Sequence, residues 1–317
     1  MLEHALATRH APAPAIVAFR ELLVPLDGSP AAERAHCLAR RIAERSGARV
    51  TLVHVHEGGP DREVIPLREY SWREAERRAD ESDYLWRAAC AAPARARTAL
   101  LADGDVACAL LGFAREAESD LIVLARHGTG GASNAWLGSV ADRILRFATA
   151  PVLLLPSEPG EAGEGETAFR RVLVALDGSA EADSVLEPLL ALAAPDEPKV
   201  LLLRVVAPPA LDRHPGAGPT LDTGEFERRL RAATDHLDAV AARLQAAGVP
   251  AAGRVLVHAS PAVAILEQAS AHHVDLVALT VSGAHHSAPP LLGTVADKLI
   301  RGTTTPVLAL RPPAGAR

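Results

Sequence analysis

Leu23-Val24-Pro25-Leu26-Asp27-Gly28-Ser29 returns later in the chain as Leu173-Val174-Ala175-Leu176-Asp177-Gly178-Ser179, 150 residues on (177 − 27 = 150). Three more blocks recur in the same order. Asp120-Leu121-Ile122-Val123-Leu124 is matched by Asp275-Leu276-Val277-Ala278-Leu279, and Gly138-Ser139-Val140-Ala141-Asp142-Arg143 by Gly293-Thr294-Val295-Ala296-Asp297-Lys298. Thr149-Ala150-Pro151-Val152-Leu153-Leu154 is matched by Thr304-Thr305-Pro306-Val307-Leu308-Ala309, and all three of these pairs lie 155 apart (275 − 120 = 155). Collinear matches over most of each half mark a duplication. The 317 residues also suit two domains of about 150 each. The boundaries fall at a disordered arm (1–17), a first domain (18–156), a Gly- and Glu-rich linker (157–168) and a second domain (169–312).

The apolar runs Leu22 to Leu26, Val50 to Val55, Leu121 to Leu124 and Val152 to Leu155 do not alternate with polar residues. Strands buried on both faces read this way. Between the first two, Ala35, Leu38, Ala39 and Ile42 keep helical spacing. Ser29 stands as N-cap, Pro30 at the first helical position and Gly47 as the stop. A longer helix carries Trp72, Ala75, Ala79, Ser82, Trp86 and Ala89 as an expected core stripe, and its counterpart carries Phe226, Leu230, Ala233, Leu237, Val240 and Leu244. Strands alternating with helices predict an α/β fold, a doubly wound and mostly parallel sheet in each half. Aromatics make up only 3% of the chain, so the core is built from Ala, Val and Leu.

A net charge of −6, with 33 basic and 39 acidic residues interspersed, gives no footprint for nucleic acid. No run approaches the roughly 20 apolar residues that cross a bilayer, and the N-terminal stretch is too broken for a secretory leader. The expectation is a soluble, cytoplasmic protein without a membrane partner. Cys37, Cys90 and Cys108 are odd in number and unrelated in spacing, which argues against disulfides and thiolate metal sites.

In an open parallel sheet, ligands bind beyond the carboxyl ends of the strands where strand order reverses. Three segments of each copy converge there. In the turn after the first strand, Asp27 or Asp177 is either an acceptor for ribose hydroxyls or a turn residue that caps the next helix. Ala125-Arg126-His127-Gly128-Thr129-Gly130-Gly131 leaves another strand, and its glycines let backbone amides approach an anion. Gly138-Ser139, like Gly293-Thr294, opens a helix whose first amides and hydroxyl suit phosphate oxygens, unless the hydroxyl is a plain N-cap.

Taken together these motifs resemble the universal stress protein family, whose signature is glycine, two residues, glycine, nine residues, then glycine with serine or threonine. Here it reads Ala125-x2-Gly128-x9-Gly138-Ser139 and Thr280-x2-Gly283-x9-Gly293-Thr294. Val-Pro-Leu-Asp-Gly-Ser, Val53 to Val55, Gly104-Asp105 and Thr-Ala-Pro-Val-Leu look like further family blocks. The resemblance implies a five-stranded Rossmann-like, adenine nucleotide alpha hydrolase-like fold in each copy. It also implies ATP, with or without Mg2+, as a regulatory ligand. Adenine would rest on backbone at Val55 or Val205. Ribose and phosphates would meet Asp27, Ala125, Gly128, Gly138, Ser139 and Val140, or Asp177, Gly283, Gly293, Thr294 and Val295. Family members pair through the last strand, so the two halves are expected to form an internal pseudo-dimer; a further homodimer and a protein partner stay open.

Both copies depart from the signature at its first glycine. Thr280, with Pro289 and Pro290 in the following loop, is the larger intrusion, and Gly104 has only Ala259 as counterpart. The first copy is therefore expected to hold nucleotide and the second to be weaker or empty. His54 and His56 share a strand face, with solvent or ligand contact the expected role and no third metal ligand in view. His285-His286 reads as a solvated loop pair, and His272-His273 as a helix C-terminal pair. No base matched between the copies and no Walker lysine loop occurs, so catalysis is not expected beyond slow ATP hydrolysis. The contrasting classes are a nucleotide-free interaction module and a slow ATPase.

Overall fold

A computed structural model describes residues 18–56, 67–91, 96–102, 104–128, 137–156, 169–193, 198–209, 211–212, 220–221, 223–281 and 292–312. The arm (1–17), the linker (157–168), Gly283, His285, His286, Pro289 and Pro290 lie outside the described residues. The first copy runs β1 (Glu21–Pro25), α1 (Pro30–Ser46), β2 (Arg49–His56), α2 (Leu67–Cys90), β3 (Ala96–Ala102), α3 (Val106–Glu116), β4 (Leu121–Ala125), α4 (Ser139–Phe147) and β5 (Val152–Leu155). In the second, β6 (Arg171–Ala175) is followed by two short helices, α5 (Ala180–Asp183) and α6 (Leu186–Ala193), and then β7 (Lys199–Val206). A two-residue hairpin pair, β8 (Leu211–Asp212) and β9 (Thr220–Leu221), precedes α7 (Thr223–Ala246), β10 (Ala251–Val257), α8 (Pro261–Ala271), β11 (Leu276–Thr280), α9 (Thr294–Gly302) and β12 (Val307–Leu310). Among the described residues no helix is long and apolar enough to cross a membrane.

The expected pair of five-stranded sheets is joined into one ten-stranded sheet, ordered β10-β7-β6-β11-β12-β5-β4-β1-β2-β3. Neighbours within each half are parallel, whereas β5 and β12 are antiparallel. Leu308 stands opposite Leu153, flanked by Val307 opposite Leu154 and Ala309 opposite Val152. The central pair differs by the repeat offset (308 − 153 = 155), so a pseudo-twofold axis passes between them. The last strands thus cover each other's edges, as the resemblance implies. β3 and β10 form the outer edges; with about half of their residues exposed, they lack the continuous apolar run that marks the other strands.

Each face of the sheet carries one apolar layer that continues through both copies. The axis is flanked by charges as well as Leu residues. Arg146 pairs with Asp142 at 2.6 Å on α4, Arg301 with Asp297 at 2.9 Å on α9, and Arg301 lies 3.9 Å from Asp142 across the axis. Arg311 donates to the Arg146 carbonyl at 2.7 Å, again between copies.

The α2 stripe is a correction. Ala75, Ala79, Ser82 and Trp86 are exposed, Trp86 to 66%, Ala89 alone of the stripe packs half-buried on the core, and the side chain of Trp72 lies outside the described residues. The helix turns Glu74, Glu81, Tyr84 and Leu85 inward instead, because polar groups on β2 bond the acids. In α7 the expected stripe does face the sheet: Ala233, Leu237, Val240 and Leu244 are buried.

Candidate functional site

β1 lies between β2 and β4, so the chain leaves it in opposite directions and the strand order reverses beside its carboxyl end. At that point Asp27 follows β1, and its Oδ1 accepts the Ser29 amide at 3.0 Å. Ser29 in turn caps α1, its Oγ accepting from the Ala32 amide at 3.1 Å. Gly28 takes φ +79°, the left-handed turn its lack of Cβ allows. Asp27 is thus a turn residue through Oδ1, while the cap of α1 is Ser29 and not Asp27. The other carboxylate oxygen of Asp27 is packed on the loop after β4: a Cβ at Gly128 would stand 1.8 Å from Asp27 Oδ2. Only glycine fits there without moving the carboxylate, so the first and second segments meet.

The third segment joins them through Gly138, whose amide donates to the Arg126 carbonyl at 3.0 Å. Gly138 is itself the N-cap of α4, with no side-chain cap, and Ser139 is the first helical residue, exposed. Ser139 is thus not a plain N-cap. Its hydroxyl stands beside the first amides of α4, an arrangement suited to an anion. Ala125 ends β4 opposite Leu155, Val55 is buried near the end of β2, and Val140 is half-buried on α4. Nearby, Gly104 at φ +98° precedes Asp105, which caps α3 by accepting from the Cys108 amide at 2.9 Å. That bond first, and then Arg143, hold the Asp105 carboxyl below its usual range.

The second copy keeps the helix start and the turn, and changes what faces the turn. Gly293 is the uncapped N-cap of α9, Thr294 is exposed and Val295 half-buried, as at Gly138, Ser139 and Val140. Asp177 Oδ1 accepts both the amide and the hydroxyl of Ser179, at 2.9 and 2.6 Å. Across the turn lies Arg204: a Cβ at Gly178 would stand 2.3 Å from its Cζ. Arg204 replaces His54, as the matching strand registers establish (204 − 54 = 150). Val205 is half-buried beside it, and Thr280 ends β11 opposite Leu310.

Sequence reasoning missed the wall behind the first turn. His54 donates from Nδ1 to the Leu26 carbonyl at 2.6 Å, which fixes the proton on that nitrogen. His56 is not at a solvated strand end. It is 1% exposed, with Nδ1 2.7 Å from Glu81 Oε2 and Nε2 hydrogen-bonded to Glu74. Arg77, with His56 and Arg78 behind it, holds the Glu74 carboxyl below its usual range. Tyr84 donates to Glu33 of α1, and burial together with that carboxylate pushes the phenol well above its ordinary value. The second copy has Val206 where the first has His56 (206 − 56 = 150). Among the described residues no three His, Cys, Asp or Glu side chains are grouped to hold a metal ion, and Cys37, Cys90 and Cys108 are free and exposed.

The sequence profile of the universal stress protein family matches residues 18–156 and again 168–311. A universal stress protein of Thermus aquaticus is 34% identical over 137 residues, covering 43% of this chain and 98% of the relative. Among solved structures, a universal stress protein from Archaeoglobus fulgidus superposes with a TM-score of 0.66 at 19% identity, covering 92% of this chain and 98% of its own. A protein of unknown function from Pseudomonas aeruginosa gives 0.61 at 14% identity, covering 93% of each. These two structural likenesses speak to the fold.

Proposed function

The chain belongs to the universal stress protein family, and from that premise we propose that its first copy binds ATP or another adenine nucleotide as a regulatory ligand in the cytoplasm. The observation that carries the reading is the closure of Asp27 on Gly128 beside the uncapped start of α4. One oxygen of Asp27 is fixed in its turn, so the carboxylate is pre-oriented for ribose hydroxyls. The amides of residues 139–141 and the Ser139 hydroxyl offer donors to phosphate oxygens. To the space between we assign Val55, Ala125, Gly128, Gly138 and Val140, the positions that match the family's nucleotide contacts.

The second copy binds more weakly or not at all. What supports this is the Arg204 guanidinium across Gly178, together with Thr280 in place of the first signature glycine. Nucleotide release from the purified full-length protein on denaturation, resolved by chromatography, tests the reading. Stoichiometric ATP supports it, ADP alone points to slow hydrolysis, and failure to copurify with or to take up any adenine nucleotide contradicts it.

A further inference from the structure

Arg126 is the only buried guanidinium or ammonium group among the described residues, 4% exposed. Its backbone belongs to the first copy's ligand loop. The amide donates to the Leu155 carbonyl at 2.8 Å, and the carbonyl accepts the Gly138 amide at the start of α4. A Cβ at Gly138 would come to 3.0 Å from that same carbonyl, so the far end of the loop is seated directly on Arg126.

The side chain does something else. It crosses into the second copy and donates from Nη2 to the Thr303 carbonyl at 2.6 Å, at the end of α9. No carboxylate pairs with it among the described residues, its Nε is buried without a partner, and burial pulls its pKa down. A charge kept in this state is costly, and an apolar residue of similar size would be cheaper. The second copy has the cheaper residue. Val281 takes the equivalent place, its amide donating to the Leu310 carbonyl as that of Arg126 does to Leu155 (281 − 126 = 155; 310 − 155 = 155). The Arg126 contact suits the negative end of the α9 dipole. The other end of α9 is Gly293-Thr294, the second copy's counterpart of the phosphate-facing helix start.

We infer that Arg126 is a positioning residue through which seating of the second copy controls nucleotide binding by the first, a coupling that runs through α9 and has no mirror image at Val281. The inference rests on the nucleotide reading above. Its structural half, that the guanidinium bridge steadies the Gly138 end of the loop, can be measured without nucleotide.

The test uses the full-length protein, R126V and R126K, with ATP titration calorimetry and hydrogen exchange. R126V substitutes the residue the second copy already carries, and its melting temperature is expected to equal or exceed wild type. Without ligand, amides 138–142 should exchange faster in R126V. With ATP, affinity should fall at least about fivefold. ATP should also slow exchange over residues 299–305 in wild type but not in saturated R126V, a ligand-dependent change that a merely structural role would not produce. R126K, which keeps the charge, should lie between the two, and carries the same comparison if R126V does not fold. Unchanged exchange at 138–142 without ligand, or wild-type affinity with full protection of 299–305 in R126V, overturns the inference. If wild type takes up no ATP, the nucleotide reading fails by itself, and ligand-free exchange at 138–142 still decides whether the bridge holds the loop.

Discussion

A methyl group at position 128 collides with the Asp27 carboxylate unless that side chain turns away, and the contact can be isolated. Gly128→Ala is expected to destabilise the protein by about 1–3 kcal/mol through overpacking. In an Asp27→Ala background the same change should cost close to nothing, because the colliding carboxylate is gone. Thermal unfolding of the four proteins of this cycle measures the coupling; additive effects would mean the two residues do not meet. His36, two turns into α1, is 4% exposed, and burial lowers its pKa below the usual 6.5, although Glu33 opposes the shift. A base with a depressed folded pKa is protonated more readily in the unfolded chain, so stability is full above about 6.5 and declines as pH falls through the folded value. His36→Leu should therefore lose less melting temperature than wild type between about pH 8 and about pH 5; equal losses would contradict the assignment. Asp27, Gly128, Gly138 and Ser139 were legible because strand ends and a helix start dictate where they go. Glu74, Glu81 and Tyr84 were not, since their partners His56 and Glu33 lie 18 to 51 residues away and no local period announces such pairs.

At the scale of elements, α2 separates periodicity from burial. Trp86 and its small neighbours satisfy helical spacing, but Leu85 is the α2 residue that is 2% exposed in the core. Leu85→Ala should destabilise by about 2–5 kcal/mol. Trp86→Gln should change stability by no more than about 0.5 kcal/mol. Chemical denaturation of both variants decides between the two faces, and a large loss for Trp86→Gln would restore the stripe read from sequence. The apolar stripe of α7 could be read correctly because Leu237, Val240 and Leu244 join one apolar layer with Leu202 and Ala251, and Val206 stands where β2 has the acid-binding His56. The edge strands β3 and β10 stayed faint for the related reason that their outer positions meet solvent.

At the scale of the whole molecule, duplication has produced one sheet with two unequal ends. The antiparallel junction at Leu153 and Leu308 obeys the pseudo-twofold symmetry, and it was foreseeable from the family resemblance, which implies pairing through the last strand. The inequality comes from single substitutions, His54 against Arg204, His56 against Val206 and Arg126 against Val281, each of which changes what surrounds a conformationally equivalent backbone. Nucleotide stoichiometry tests the consequence most directly. Equilibrium dialysis of labelled ATP against the full-length protein should give about one site per chain, lost in Asp27→Ala and kept in Asp177→Ala. Two equal sites, no site, or loss of binding with Asp177→Ala alone would contradict the account.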